Sequence, residues 1–460
     1  MPYATLNLAG LHFRHGYIAQ GIQLIHETVR IAQERNDDQC LALALSWLFR
    51  LIAGETNDHH QEYQILKRCV SRSAELNLPY LSSQSTLALA GHHLLHAHDN
   101  PHTLHRGSDS TFVKSNPKKV WELLKISERI NVKEVHLPKL TSAAHLLRSA
   151  CWEMWGCGNL VRVALQSQVE NYGSRVDGEG EDNAAALCKV AWQYAAMGNF
   201  NLAVKILTQA KNEFPLPPSQ STWQQITLQI LHTHALQKGL ITVARYLADQ
   251  LESISSCRVT DVHSQVDAKF RAIEITIMEE NYLNAVGELT KLIEFCTKSG
   301  LQIETVALRL TQAEVYFAAG CPSEALPYVL SCLTLSESYH LDSINVLAKI
   351  LLAEIQLSIL EPPSKVISLV LSSLPMIHAI DNKEALCNAH ITLANAYIAL
   401  GQQKEALHYL DLAEQGIIEI GHLKKLEKVY YLKACLYNHL GDLQKRNDFA
   451  TKFKNIQQKN

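Results

Sequence analysis

Six histidines crowd one short stretch of this 460-residue chain: His92-His93-x-x-His96-x-His98, then His102 and His105. Imidazole is a preferred zinc ligand, and His92 and His96, four residues apart, would share one face of a helix. A zinc site needs three or four convergent ligands, and no carboxylate or cysteine completes the set here at a familiar spacing. The stretch therefore reads as a surface histidine cluster, with a metal-dependent enzyme as the competing reading. Asp177-Gly178-Glu179-Gly180-Glu181-Asp182 is dense in carboxylates, yet it lacks the alternation of a calcium-binding loop and has Cys188 where the bidentate Glu would stand. It reads as a solvated turn. Cys151 and Cys157, six apart, fall on different helix faces and read as packing residues. The chain has no Gly-x-x-x-x-Gly-Lys phosphate loop, no Gly-x-Ser-x-Gly nucleophile elbow and no RING-like Cys/His pattern. No catalytic residue, cofactor or metal is assigned.

The elements that carry these residues are set by a ladder. Gly156, Gly198, Gly239, Glu280, Gly320, Glu361, Gly401 and Gly441 follow one another at steps of 40 to 42 residues. Such a period is the mark of an internal repeat. Around Gly198 the chain reads Val190-Ala191-x-x-Tyr194-x-x-x-Gly198-x-Phe200-x-x-Ala203-x-x-x-Leu207-x-x-Ala210, closing at Pro215. With Gly198 as position 15, these residues take positions 7, 8, 11, 15, 17, 20, 24, 27 and 32 of a tetratricopeptide-type helix pair. The pattern returns as Tyr316, Gly320 and Ala325, as Tyr397, Gly401 and Ala406, and as Tyr437 and Gly441; Gly16 holds the same rung near the N-terminus. The small residues sit where two helices approach most closely, and Gly supplies the left-handed turn between them. The expected fold is an all-α solenoid of helical hairpins. Residues 1–98 form its first repeats, 99–119 a polar insertion, 120–183 a degenerate repeat with the acidic loop, and 184–460 the clearest repeats with a polar terminal helix. Ser108, Ser110, Thr111 and Ser115 in the insertion could accept phosphate.

Composition narrows the function. Hydrophobic residues are 47%, enough for an ordered chain, while charged residues are only 19%, which suits a surface covered by partners or a large core. A net charge of −3 favours neither nucleic acid nor an anionic membrane. No apolar run approaches the length of a membrane span. Eleven cysteines, an odd number without a Cys-x-x-Cys, point to a reducing interior. Solenoids of this kind bind proteins rather than small-molecule substrates, usually through first-helix positions 2, 5, 9, 12 and 13. Trp192, Asn388 and Asn395 are the candidate groove residues. Position 5 is Leu6, Cys188, Ile391 or Tyr431, so no cationic clamp for a carboxylate is expected there.

Several segments go beyond a generic repeat code. Tyr3-Ala4-Thr5-Leu6-Asn7-Leu8-Ala9-Gly10-Leu11-His12, Arg30-Ile31-Ala32-Gln33-Glu34-Arg35-Asn36-Asp37 and Leu45-Ser46-Trp47-Leu48 resemble the repeat that characterises the fifth-subunit family of the anaphase-promoting complex, or cyclosome. Asn77-Leu78-Pro79-Tyr80-Leu81, Ala186-Leu187-Cys188, Phe214-Pro215 and the closing Ala434-x-Leu436-Tyr437-x-x-Leu440-Gly441 are similar to later landmarks of that family, in the same order. The resemblance implies a non-catalytic scaffold subunit of a cullin-RING ubiquitin ligase that drives mitosis, in nucleus and cytoplasm. It implies packing in the platform beside the largest and fourth subunits. It also implies a helical region ahead of the segment that begins at Met1, so the chain is expected to be a C-terminal portion, a short isoform or an incomplete gene product. A stand-alone adaptor of the kinesin-light-chain kind is the alternative; such adaptors have more uniform repeats and a heptad region, which this chain lacks.

Overall fold

The structure, a computed structural model, describes residues 2–14, 17–52, 59–95, 117–136, 138–172, 180–215, 219–256 and 262–458. Gly16, the insertion up to residue 116, His96, His98, His102, His105, Cys257 and Asp177 to Glu179 lie outside the described residues. Within the described residues the chain folds into twenty-two α-helices and one π-helical turn, without a strand. In order these are α1 (Pro2–Arg14), α2 (Ile18–Glu34), α3 (Asp38–Ile52), α4 (His59–Glu75), α5 (Pro79–Leu95), α6 (Pro117–Ile130), α7 (Pro138–Met154) and α8 (Gly158–Tyr172). Then come α9 (Gly180–Ala196), α10 (Phe200–Glu213), α11 (Ser219–Gln237), α12 (Ile241–Ser256), α13 (Val262–Met278), α14 (Tyr282–Lys298), α15 (Gln302–Ala318) and α16 (Pro322–Tyr339). The array closes with α17 (Asp342–Ser358), α18 (Pro363–Ile380), α19 (Lys383–Ala399), α20 (Gln403–Ile420), α21 (Leu423–Leu440) and α22 (Leu443–Gln457). Consecutive helices pair, and the chain is a tetratricopeptide-like solenoid.

Left-handed residues make the turns. Gly156, Gly198, Gly239, Glu280, Gly320, Gly401 and Gly441 all have φ between 62° and 83°. One rung differs from the sequence expectation: the left-handed residue between α17 and α18 is Leu360, at φ 66°, not Glu361. Pro362 cannot donate a backbone hydrogen bond and leads straight into α18, so the turn is completed one residue early. A second ladder marks the return turns, at Gly300, His340, Asp381 and Gly421.

The small residues do what their positions require. Ala191 and Ala203, Ala313 and Ala325, and Ala394 and Ala406 are all fully buried, where neighbouring helices leave no room for more than a methyl group. The tyrosines of position 11 lie against a ring twelve residues on. Tyr316 stacks on Tyr328 at 5.1 Å, Tyr397 on Tyr409 at 5.5 Å and Tyr437 on Phe449 at 5.6 Å, each pair within 12° of parallel. Tyr194 has Ile206 at the matching place and is half-buried beside the cluster around Ala191. At the end of the array Lys433 takes an interior position, and its buried ammonium is held by Asp411 at 2.6 Å and by Glu414. A charge so enclosed is tolerable only when paired.

The chain forms two compact units: residues 1–148 with 298–302, and 149–297 with 303–460. In the first, Leu6, Ala9, Ile25, Ala44, Leu48 and Ile65 build a core beside Trp47. A pair of buried hydroxyls, Ser83 and Ser127, ties α5 to α6 at 2.8 Å. In the second, successive clusters follow the helix pairs from Leu187 to Ile275 and from Val306 to Leu436. The expectation that no apolar segment reaches span length is corrected at α18, which has the length and apolar composition of a membrane-crossing helix. Its Val366, Val370 and Ile377 pack into the core with α17 and α19.

A candidate partner groove in the second unit

The first helices of the repeats, α11, α13, α15, α17, α19 and α21, turn one face toward the inside of the second unit. A cleft of about 490 Å³ opens between α11, α13 and α15. Its apolar wall is Ile226, Phe270 and Leu308, and its polar wall is an amide and carboxylate set. Gln229 Nε2 donates to Asp267 Oδ2 at 2.7 Å, Ser264 Oγ donates to Gln225 Oε1 at 3.1 Å, and His263 Nδ1 lies 2.7 Å from Glu304 Oε1.

Deeper in the unit, Arg271 is buried between two carboxylates, 3.0 Å from Glu274 and 3.5 Å from Asp267, with its guanidinium 5.8 Å from the Trp192 ring. Burial works against this cation, but Glu274 and Asp267 outweigh it and hold the guanidinium protonated above its ordinary range. Burial raises the Glu274 carboxyl, with Arg271 offsetting part of the effect. His232, fully buried 3.7 Å from Glu274, is pushed down to about 4 by burial and by Arg271, so it is neutral at physiological pH.

A second cleft, of about 340 Å³, lies between α15, α17, α19 and α21 and includes Glu314, Phe317, Glu354, Glu384, Asn388 and Lys425. Glu274, Glu314 and Glu354 each stand six residues before a left-handed rung, at Glu280, Gly320 and Leu360. One groove position of three successive repeats is therefore a carboxylate. Glu354 accepts from Thr392 Oγ1 at 2.9 Å. Glu314 makes no hydrogen bond or ion pair with a described residue. Its side chain is exposed to this cleft; the loss of water to the surrounding helices, relieved in part by Lys425 and reinforced by Glu384, Glu354 and Glu274, pushes its carboxyl up to about 7. Glu384 behaves oppositely: burial would raise it, but Lys425, His422 and a bond from Gln237 Nε2 at 3.2 Å hold it below the usual carboxylate range.

The far side of this lumen is supplied by the unit closing on itself. Lys424 Nζ donates to the Met278 carbonyl at 3.1 Å and lies 3.8 Å from Glu280. Arg162 pairs with Asp381, 219 residues away in sequence. Gly158 sits so close to α18 that a Cβ on it would meet the Ile380 carbonyl oxygen at 2.4 Å. A third, smaller cleft of about 160 Å³ lies at this junction, lined by Trp192, Thr233, Gln237, Asn382 and Glu384 among others. Asn382 also caps α19, its Oδ1 accepting from the backbone of Glu384 and Ala385 at 3.0 and 3.1 Å.

Of the residues singled out in the sequence, Trp192 lines the smallest cleft and Asn388 the α15–α21 cleft, whereas Asn395 is half-buried on α19 outside all three. The expectation that no cationic clamp is present rested on position 5; the carboxylates stand at position 9. Their 40-residue spacing is visible in the sequence, but a rung placed at Glu361 takes Glu354 out of register. His92 and His93 are buried on α5, with His92 Nε2 3.3 Å from Glu62 and both rings beside Tyr63. Among the described residues no group of three or more His, Cys, Asp or Glu side chains is placed to hold a metal ion. Glu181 and Asp182 form the first turn of α9, where negative charge suits the helix dipole. Cys151 is buried and Cys157 half-buried, both as thiols.

The family model of "Anaphase-promoting complex subunit 5" matches residues 1–55. Curated relatives of that same description align along the whole chain. The Mus musculus protein is 26% identical over 476 residues, covering 100% of this chain and 60% of the relative. The Homo sapiens protein is 26% identical over 479 residues, covering 100% and 59%. The Arabidopsis thaliana protein is 23% identical over 531 residues, covering 98% and 58%. The chain thus spans about 60% of the length of the curated relatives it matches. Two solved structures are similar in fold. A Rap protein complexed with Competence and Sporulation Factor has a TM-score of 0.54 at 12% identity, covering 75% of this chain and 93% of that one. The APC/C hetero-tetramer Cut9–Hcn1 has a TM-score of 0.50 at 14% identity, covering 99% and 87%. Both speak for the helical-repeat fold alone.

Proposed function

We propose that this chain, related in sequence from end to end to the subunit 5 family of the anaphase-promoting complex, is a non-catalytic scaffold subunit of that ubiquitin ligase. In this reading it holds platform subunits together, beside the largest and fourth subunits, in nucleus and cytoplasm, and ubiquitin transfer belongs to other chains. The observation that carries the reading is the alignment of relatives of one description across both units, rather than over a single generic repeat. The fold supports it physically. A stack of hairpins presents a long, rigid surface on which several proteins can be positioned at once.

The test is recovery of partners. The tagged 460-residue chain is expressed in dividing cells, and the proteins that copurify are quantified by mass spectrometry. Cyclosome subunits in near-equal amounts are the expected result. Motor or vesicle proteins in their place would support the stand-alone adaptor instead.

A further inference from the structure

We propose that the lumen of the second unit binds an extended segment of a partner protein bearing lysine or arginine side chains, with a cation received between Glu314 and Glu354. The inference deepens the scaffold reading and rests on it only in taking the occupant to be protein.

Charge argues first. On the walls supplied by α11, α13, α15 and α17, five carboxylates (Asp267, Glu274, Glu304, Glu314 and Glu354) face one guanidinium, Arg271, which two of them already neutralise. Lys425 is engaged by Glu384, and Lys428, exposed at the α21 margin, is not among the charges that act on Glu314. Like charges gathered in an enclosed lumen are unfavourable until a cation joins them. Repeating the same residue type at one position of three successive hairpins points that demand along a line, as an extended chain would meet it.

A second, independent observation lies in the adjoining cleft. Gln237 is more than nine-tenths buried, and its Oε1 has no hydrogen-bond partner. The orientation of this amide is fixed chemically, because only its NH₂ end can face the Glu384 carboxylate. The carbonyl end is thus a buried acceptor in the wall of a cleft, and it calls for a donor. Phe317, lining the α15–α21 cleft, offers an aromatic face beside the carboxylates for the stem of a long cationic side chain.

The experiment uses the full chain and a fluorescent peptide of alternating lysine and alanine, followed by anisotropy, with a glutamate–alanine peptide as comparison. The lysine peptide is expected to bind, more tightly at about pH 8 than at about pH 5.5, because Glu314 gives up its proton between them. The double variant Glu314→Gln/Glu354→Gln should weaken binding by about tenfold or more, and Gln237→Met by less. Glu405→Gln, an exposed change on α20, should leave it unaltered. A single cooperative thermal transition in every variant, with a midpoint no lower than the parent's, would show that folding is intact. Equal binding by the double variant, equal binding of the acidic peptide, or association of two copies that the double variant abolishes would each overturn the proposal. Loss of the groove with unchanged recovery of cyclosome subunits from cells would overturn this inference and leave the scaffold reading standing.

Discussion

Leu360 carries a cost that its glycine counterparts avoid. At φ 66° its Cβ crowds the following carbonyl, and its side chain is 92% exposed, so no packing offsets the strain. Leu360→Gly should therefore stabilise the second unit by about 1 kcal/mol, whereas Gly320→Ala, at φ 80° with open space around its Cβ, should destabilise it by about as much. Urea midpoints for the two variants should move in opposite directions. Ala406 probes packing instead: it is fully buried, and Ala406→Leu should cost roughly 1–3 kcal/mol. Glu314 probes the lumen. Its carboxyl lies near 7 when folded and near 4.5 otherwise, so its favourable share is fully present below about 4.5 and is lost as pH rises through about 7. Glu314→Gln should match the parent at about pH 4.5 and be the more stable of the two at about pH 8. A constant difference between them at every pH would contradict the enclosed lumen.

Helices meet in this molecule in two ways, and only one leaves a local trace. Pairing within a hairpin is written in small residues and rings: Ala at the close approaches, Gly at the rung, Tyr against the ring twelve residues on. These recur because each hairpin must solve the same packing problem, and that is why the solenoid is legible in the sequence. Closure of the second unit leaves no such mark, since Arg162 and Asp381 are far apart in sequence and neither belongs to the repeat code. The groove stood between these cases. Register alone puts Trp192, Glu274 and Glu314 at position 9 and Asn388 at position 2; only Glu354 falls out of register, at the turn where Leu360 stands in the place of a glycine. Two glycines separate the kinds of contact. Gly158→Ala places a methyl group against the Ile380 carbonyl and should cost roughly 1–3 kcal/mol. Gly287→Ala, inside α14 with nothing within 4 Å, should instead stabilise by about 0.5–1 kcal/mol. Equal effects from both, read as thermal midpoints, would mean that the closure is absent in solution.

Each unit is built of helical hairpins, and the proposed work of the chain is to hold other proteins in place. The most direct test is cross-linking of the complex recovered from mitotic cells, read by mass spectrometry from exposed lysines such as Lys205, Lys211, Lys291 and Lys404. Cross-links joining these lysines chiefly to the largest and fourth subunits of the cyclosome are the predicted result. Cross-links confined to motor or vesicle proteins, with none to any cyclosome subunit, would contradict the scaffold role.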